Sequence, residues 1–144
     1  MTGLADYIKW LGRFSFRELP FCDTDALVMC VISYFDLSPV LKDGSAYVSD
    51  CGPCLDSGAV TLQITGGDMG NGEIFRQAIA SKRFGELRIS DYEDVLRPEM
   101  PLQYAAVTLS YEDEFSFLAF RGTDETIAGF GDELQRALLP GGAQ

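Results

Sequence analysis

Histidine is missing altogether from these 144 residues. A Ser-His-Asp triad needs an imidazole to take the hydroxyl proton, so this chain's own side chains cannot assemble one. Basic residues are scarce too, 11 Lys and Arg against 22 Asp and Glu, for a net charge of −11. Gripping a phosphate backbone takes a basic face, which excludes nucleic acid as a partner. Long apolar runs are lacking. The longest, Ala26 to Ile32, falls far short of the ~20 residues a membrane helix needs, so no transmembrane segment is expected. The opening Met1 to Asp6 has neither the positive region nor the apolar core of a signal peptide. The expectation is a cytoplasmic protein whose four cysteines are reduced thiols rather than a disulfide framework.

What is present suits one globular domain over 1–144, with 47% hydrophobic and 12% aromatic residues. The fold class expected is α/β: a helical part over 1–84, packed on a small mixed sheet with a final helix over 85–139. Residues 2–11 read as an amphipathic helix with Leu4, Ile8 and Leu11 on one side, and Gly12 ends it. Asp23 makes an N-cap and Asp25 a first-turn acid for a buried helix over 24–36. Its stripe is Leu27, Cys30, Val31 and Tyr34, widened by Val28, Ile32 and Phe35. Residues 37–57 read as irregular. Residues 57–65 fit a strand or a short helix. Asn71 caps a helix from Gly72 to Arg83 with Phe75, Ala78 and Ile79 inside, and Gly85 suits a left-handed C-terminal position. Leu87 and Ile89 mark a first strand. Residues 104–111 and 115–120, joined by the polar turn Glu112-Asp113-Glu114, read as an antiparallel hairpin.

The second strand of that hairpin is apolar on both faces: Phe115, Phe117 and Ala119 on one, Leu118 and Phe120 on the other. Such a strand belongs inside a sheet. Left open, its edge is a site of self-association. Gly122 ends it and leaves Thr123 at its C-terminal end, where open α/β sheets place ligands. A backbone N–H and a hydroxyl at that point can stabilise an oxyanion in acyl transfer.

The segment from Phe120 to Glu133, beginning Phe-Arg-Gly-Thr-Asp, resembles a family of uncharacterised bacterial lipase-like α/β-hydrolases related to the class 3 lipases. Asp6 to Gly12, Ser15-Phe16, Pro20-Phe21, Asp25 to Leu27, Ser33-Tyr34 and Gln103 to Thr108 fall in that family's order. The resemblance implies an incomplete α/β-hydrolase core, acting in its complete form on an acyl ester or lipid. It implies Thr123 as the oxyanion-hole residue. The nucleophile elbow of such enzymes, Gly-x-Ser-x-Gly, is not in these residues. The expectation is therefore an N-terminal hydrolase fragment, inactive alone and without cofactor, or a non-catalytic interaction module of the same origin.

Cys51-Gly-Pro-Cys54 is similar to the dithiol motif of thioredoxins, whose chemistry needs one thiolate of lowered pKa. A short polar stretch before it and an interruption at Gly58 after it speak against that fold. One Cys-x-x-Cys without histidine supplies two ligands where structural zinc takes four, so no metal is expected. Glu112, Asp113 and Glu114, and the pair Asp132-Glu133, read as solvated acids rather than an acid–base site.

Overall fold

The structure is a computed structural model that describes residues 3–63, 70–97 and 102–122. Helix α1 (Leu4–Leu11) is followed by α2 (Asp23–Ser33), a 3₁₀ turn at Ser38–Val40 and the short strand β1 (Ala46–Tyr47). A second 3₁₀ turn (Val48–Cys51) leads into α3 (Gly52–Ser57), then α4 (Asn71–Ala80) and α5 (Lys82–Gly85). Strands β2 (Arg88–Arg97), β3 (Leu102–Tyr111) and β4 (Phe115–Gly122) complete the described chain. The sheet runs β1-β2-β3-β4, with every described pairing antiparallel. The helical part lies on one face of it, as the α/β reading expected.

The alternation that suggested the hairpin is what builds it. Leu109 faces Phe117, Val107 faces Ala119 and Tyr111 faces Phe115, all toward the core. Thr108 and Leu118, also opposed, point the other way. Glu112 takes φ +46° in the turn, and the Glu114 N–H closes it on the Tyr111 carbonyl at 2.9 Å. Strand β2 bulges between Ser90 and Glu93, where Asp91 sits at φ +51°. One extra residue there bends the strand and strengthens its twist.

Of the stripe expected for helix α2, Val28, Val31, Ile32 and Phe35 are buried, but Leu27 is not. Val28, Met29 and Ile32 are fully buried, while Leu27 is 56% exposed. The reason is Asp25, also fully buried, which turns its side of the helix toward α5. The N-cap is Cys22, one residue earlier than expected, and its N–H donates to Asp25 Oδ2 at 2.9 Å. Val28, Met29 and Ile32 meet Phe75, Phe84, Leu87, Ile89 and Val107 in one core. Each such side chain contributes roughly 1.5–3 kcal/mol when fully removed from water.

Two further expectations are corrected. Residues 37–57, read as irregular, hold short elements, and β1 pairs Ala46 with Ile89 and Tyr47 with Arg88. Gly85 is not in a left-handed conformation but lies inside α5. A Cβ there would stand 3.1 Å from the Ile79 carbonyl and 3.4 Å from Ser49 Cβ, so close approach is what calls for glycine. The expected final helix over 127–139 lies outside the described residues.

Candidate functional site

Among the described residues, two places concentrate chemistry. The first is enclosed. Arg83, on the one-turn helix α5, and Asp25, on the first turn of α2, form an ion pair in which both side chains are 0% exposed. Arg83 Nε donates to Asp25 Oδ1 at 2.9 Å and Nη2 to Oδ2 at 2.6 Å. The remaining guanidinium donors go to carbonyls of the connector between α1 and α2. They reach Phe14 at 3.3 Å, Ser15 at 3.2 Å, Leu19 at 2.8 Å and Pro20 at 3.1 Å. The Phe16 ring lies beneath the guanidinium carbon at 3.9 Å to its centroid. Tyr7 donates its hydroxyl to Asp25 Oδ1 at 2.8 Å.

Burial pushes the Asp25 carboxyl up, yet the hydrogen bonds from Arg83, the Cys22 N–H and Tyr7 outweigh it and hold the group below the usual range. Burial also pulls Arg83 down, and Asp25 more than restores it, so the guanidinium stays charged. Tyr7 is raised, first by burial and then by its hydrogen bonds to Cys22 and Asp25. Every donor of Arg83 is therefore engaged by the protein itself. Nothing in the group remains to receive a substrate, so its chemistry is that of a clamp. The sequence offered no sign of it: Asp25 read as a dipole acid and Arg83 as the end of a helix, 58 positions away.

The second place is the β4 side of the sheet. Among the described residues β4 has a strand neighbour on one side only, β3. On its helical face an aromatic seam runs along the border. Phe16 and Phe115 meet edge to face at 4.9 Å between centroids, Phe21 approaches Phe115 at 5.2 Å, and Phe117 lies 6.1 Å from Phe21. Phe21 is 39% exposed, and on the opposite face Leu118 is 55% exposed. Arg17 pairs with Glu112 and, at 3.4 Å, with Glu114, giving the seam a charged rim. The turn acids are exposed, as read, but Glu112 and Glu114 are ion-paired rather than merely solvated.

Phe115 to Phe120, expected inside a sheet, has the hairpin strand β3 as its one described neighbour. It borders the described sheet, and its helical face alone packs against α2. Thr123, the expected oxyanion-hole residue, lies outside the described residues, as do Asp132 and Glu133.

The cysteines are free thiols among the described residues. Cys51 is fully buried ahead of α3, and burial, with help from Asp50 and Cys54, pushes its thiol up to about 12. A dithiol oxidoreductase needs the reverse, an accessible thiolate, so this environment opposes the thioredoxin-like alternative through Cys51 and Cys54. No cluster of three metal-ligating side chains occurs among the described residues. The described surface also holds hollows. One of about 850 Å³ is lined by Tyr47, Ser49, Lys82, Arg88, Ser110 and Asp113. Another, about 510 Å³, lies along α1 beside Leu4, Tyr7 and the exposed Trp10. No helix among the described residues is long and apolar enough to cross a membrane.

Residues 78–140, less than half of the chain, match the family model described as Mbeg1-like. No curated protein and no solved structure matches. Mbeg1-like is a family distinct from the lipase-like hydrolases, and its match spans the very segment, Phe120 to Glu133, that carried the expected resemblance. The assignment to the lipase-like family is therefore corrected.

Proposed function

We propose that this chain is a non-catalytic interaction module whose β4 side accepts an added strand from a partner. The observation that carries the reading is β4 itself, paired on one side among the described residues and lacking proline over its 8 residues. Natural sheets blunt such borders with charge, proline or bulges, and 115–120 has no charge, no proline and an unbroken register with β3. The aromatic seam of Phe21, Phe115 and Phe117 supplies the kind of anchors that dominate interfaces, and the Arg17–Glu112 pair supplies a polar rim. In strand addition the backbone hydrogen bonds give affinity and the alternate side chains give selectivity.

The same reading makes the chain inert toward esters by itself, because it has no histidine to serve a serine nucleophile. A cytosolic setting goes with it, since the thiols Cys22, Cys30, Cys51 and Cys54 are unpaired. The test is a titration of the labelled chain with a synthetic peptide of its own residues 115–122, followed by amide NMR. Saturable shifts confined to β4 and the seam are expected. Absence of any shift at millimolar peptide would remove the proposal. Turnover of a short acyl ester by the pure chain, lost in Thr123→Ala, would replace it with an enzymatic one.

A further inference from the structure

The β4 sequence also identifies a partner for the proposed strand addition, an inference that rests on that reading. We infer that the partner is a second copy of the chain, β4 against β4, antiparallel about a two-fold axis at Leu118. In such a pair the axis passes between two directly opposed residues, so one residue faces its own copy and the rest pair symmetrically about it.

The choice of axis decides the packing. Centred on Leu118, Phe117 opposes Ala119, Ser116 opposes Phe120 and Phe115 opposes Arg121. A large residue meets a smaller one at each of the two inner pairs, and Leu118 meets Leu118. Centred on Ala119, Leu118 opposes Phe120 while two alanines leave a gap between them. Centred on Phe117, two phenylalanines collide at the axis and Glu114, from the turn, opposes Phe120. Directly opposed Cβ atoms stand about 4.5–5.5 Å apart, so these size matches are felt at once. The Leu118 centre is the one that closes both faces.

Charge sets the conditions. Each copy carries −11, and the two repel, but residues 115–120 bring no charge to the axis itself. Added salt screens the repulsion and leaves the apolar contact intact. Association should therefore tighten as salt rises.

Sedimentation equilibrium of the full chain, from low micromolar to millimolar, reads the outcome directly. A concentration-dependent dimer is expected, with a dissociation constant that falls as salt is added. Leu118→Lys places two like charges at the axis and should weaken the dimer at least about tenfold. Ser116→Lys, one pair away, should weaken it less. Thr108→Lys puts the same charge one strand inland, opposite Leu118, and should leave the constant within about twofold. All three sites lie on the face away from the core, and circular dichroism verifies that each variant folds. A chain that stays monomeric yet binds the 115–122 peptide refutes the stacked geometry and keeps the strand-addition reading. A chain that does neither removes both. A dimer indifferent to Leu118→Lys, or equally sensitive to Thr108→Lys, overturns the axis at Leu118.

Discussion

The Asp25–Arg83 clamp and the β4 border are opposite solutions to placing unusual residues in a small fold. At the clamp, two full charges are removed from water, and every donor is met from within the chain. At the border, a strand uncharged over 115–120 stands with one described neighbour and Leu118 half in water. The first is finished and has no capacity left for a ligand. The second has capacity and no chemistry. A strongly perturbed buried pair often marks an active site, but here complete satisfaction argues for structure, and the border carries the functional reading.

The largest effect expected comes from opening the clamp. Asp25→Asn or Arg83→Met leaves a buried charge or its partners uncompensated and should cost about 3–5 kcal/mol in urea denaturation. The double variant Asp25→Leu with Arg83→Met should recover part of that loss, because the pair's own desolvation cost goes with it. A single variant of unchanged stability would erase the contrast between the two regions.

Next in size is Gly12→Ala. The new methyl would collide with the Ile8 carbonyl oxygen and stand 2.9 Å from Ser81 Cβ, where α1 ends against the start of α5, and should cost about 1–3 kcal/mol by overpacking. Acid titration gives a third test. The Asp25 carboxyl is held below its unfolded value, so its contribution is complete above about pH 4 and fades as pH falls through the folded value. Asp25→Asn should flatten the acid limb of the stability profile, and an unchanged limb would mean that other carboxylates control it. Smallest of all is the intrinsic effect of Leu118→Lys on monomer stability, expected within about 0.5 kcal/mol because the site is largely exposed. A much larger loss in the thermal unfolding of the monomer would show that the border is part of the core.

Local patterns were readable in the sequence, and distant ones were not. The alternation of 104–111 and 115–120 gave the hairpin, and periodicity gave α1 and the inner face of α4 at Phe75 and Ala78. Helix α2 is legible in place and in most of its buried stripe, but Leu27 falls outside the core and Met29 inside it, since a buried Asp25 breaks the hydrophobic pattern that would choose. Gly85 closes the short α5 rather than following one helix from Gly72 to Arg83, and the close approach of the Ile79 carbonyl there is not legible in the sequence. The family resemblance leaned on the stretch from Phe120 onward, and a short strand–turn motif with scattered matches elsewhere does not fix a family.

The guanidinium of Arg83 holds the carbonyls of residues 14–20 from 63 to 69 positions downstream. Until that side chain arrives, the backbone linking α1 to α2 is held only by local hydrogen bonds such as those between Ser15 and Glu18. During synthesis the connector carbonyls must therefore wait for their clamp while most of the helical part is made. Loop closure of this span is a late and entropically costly event. In hydrogen exchange the connector should thus open together with α5 as one cooperative unit, although the two are far apart along the chain.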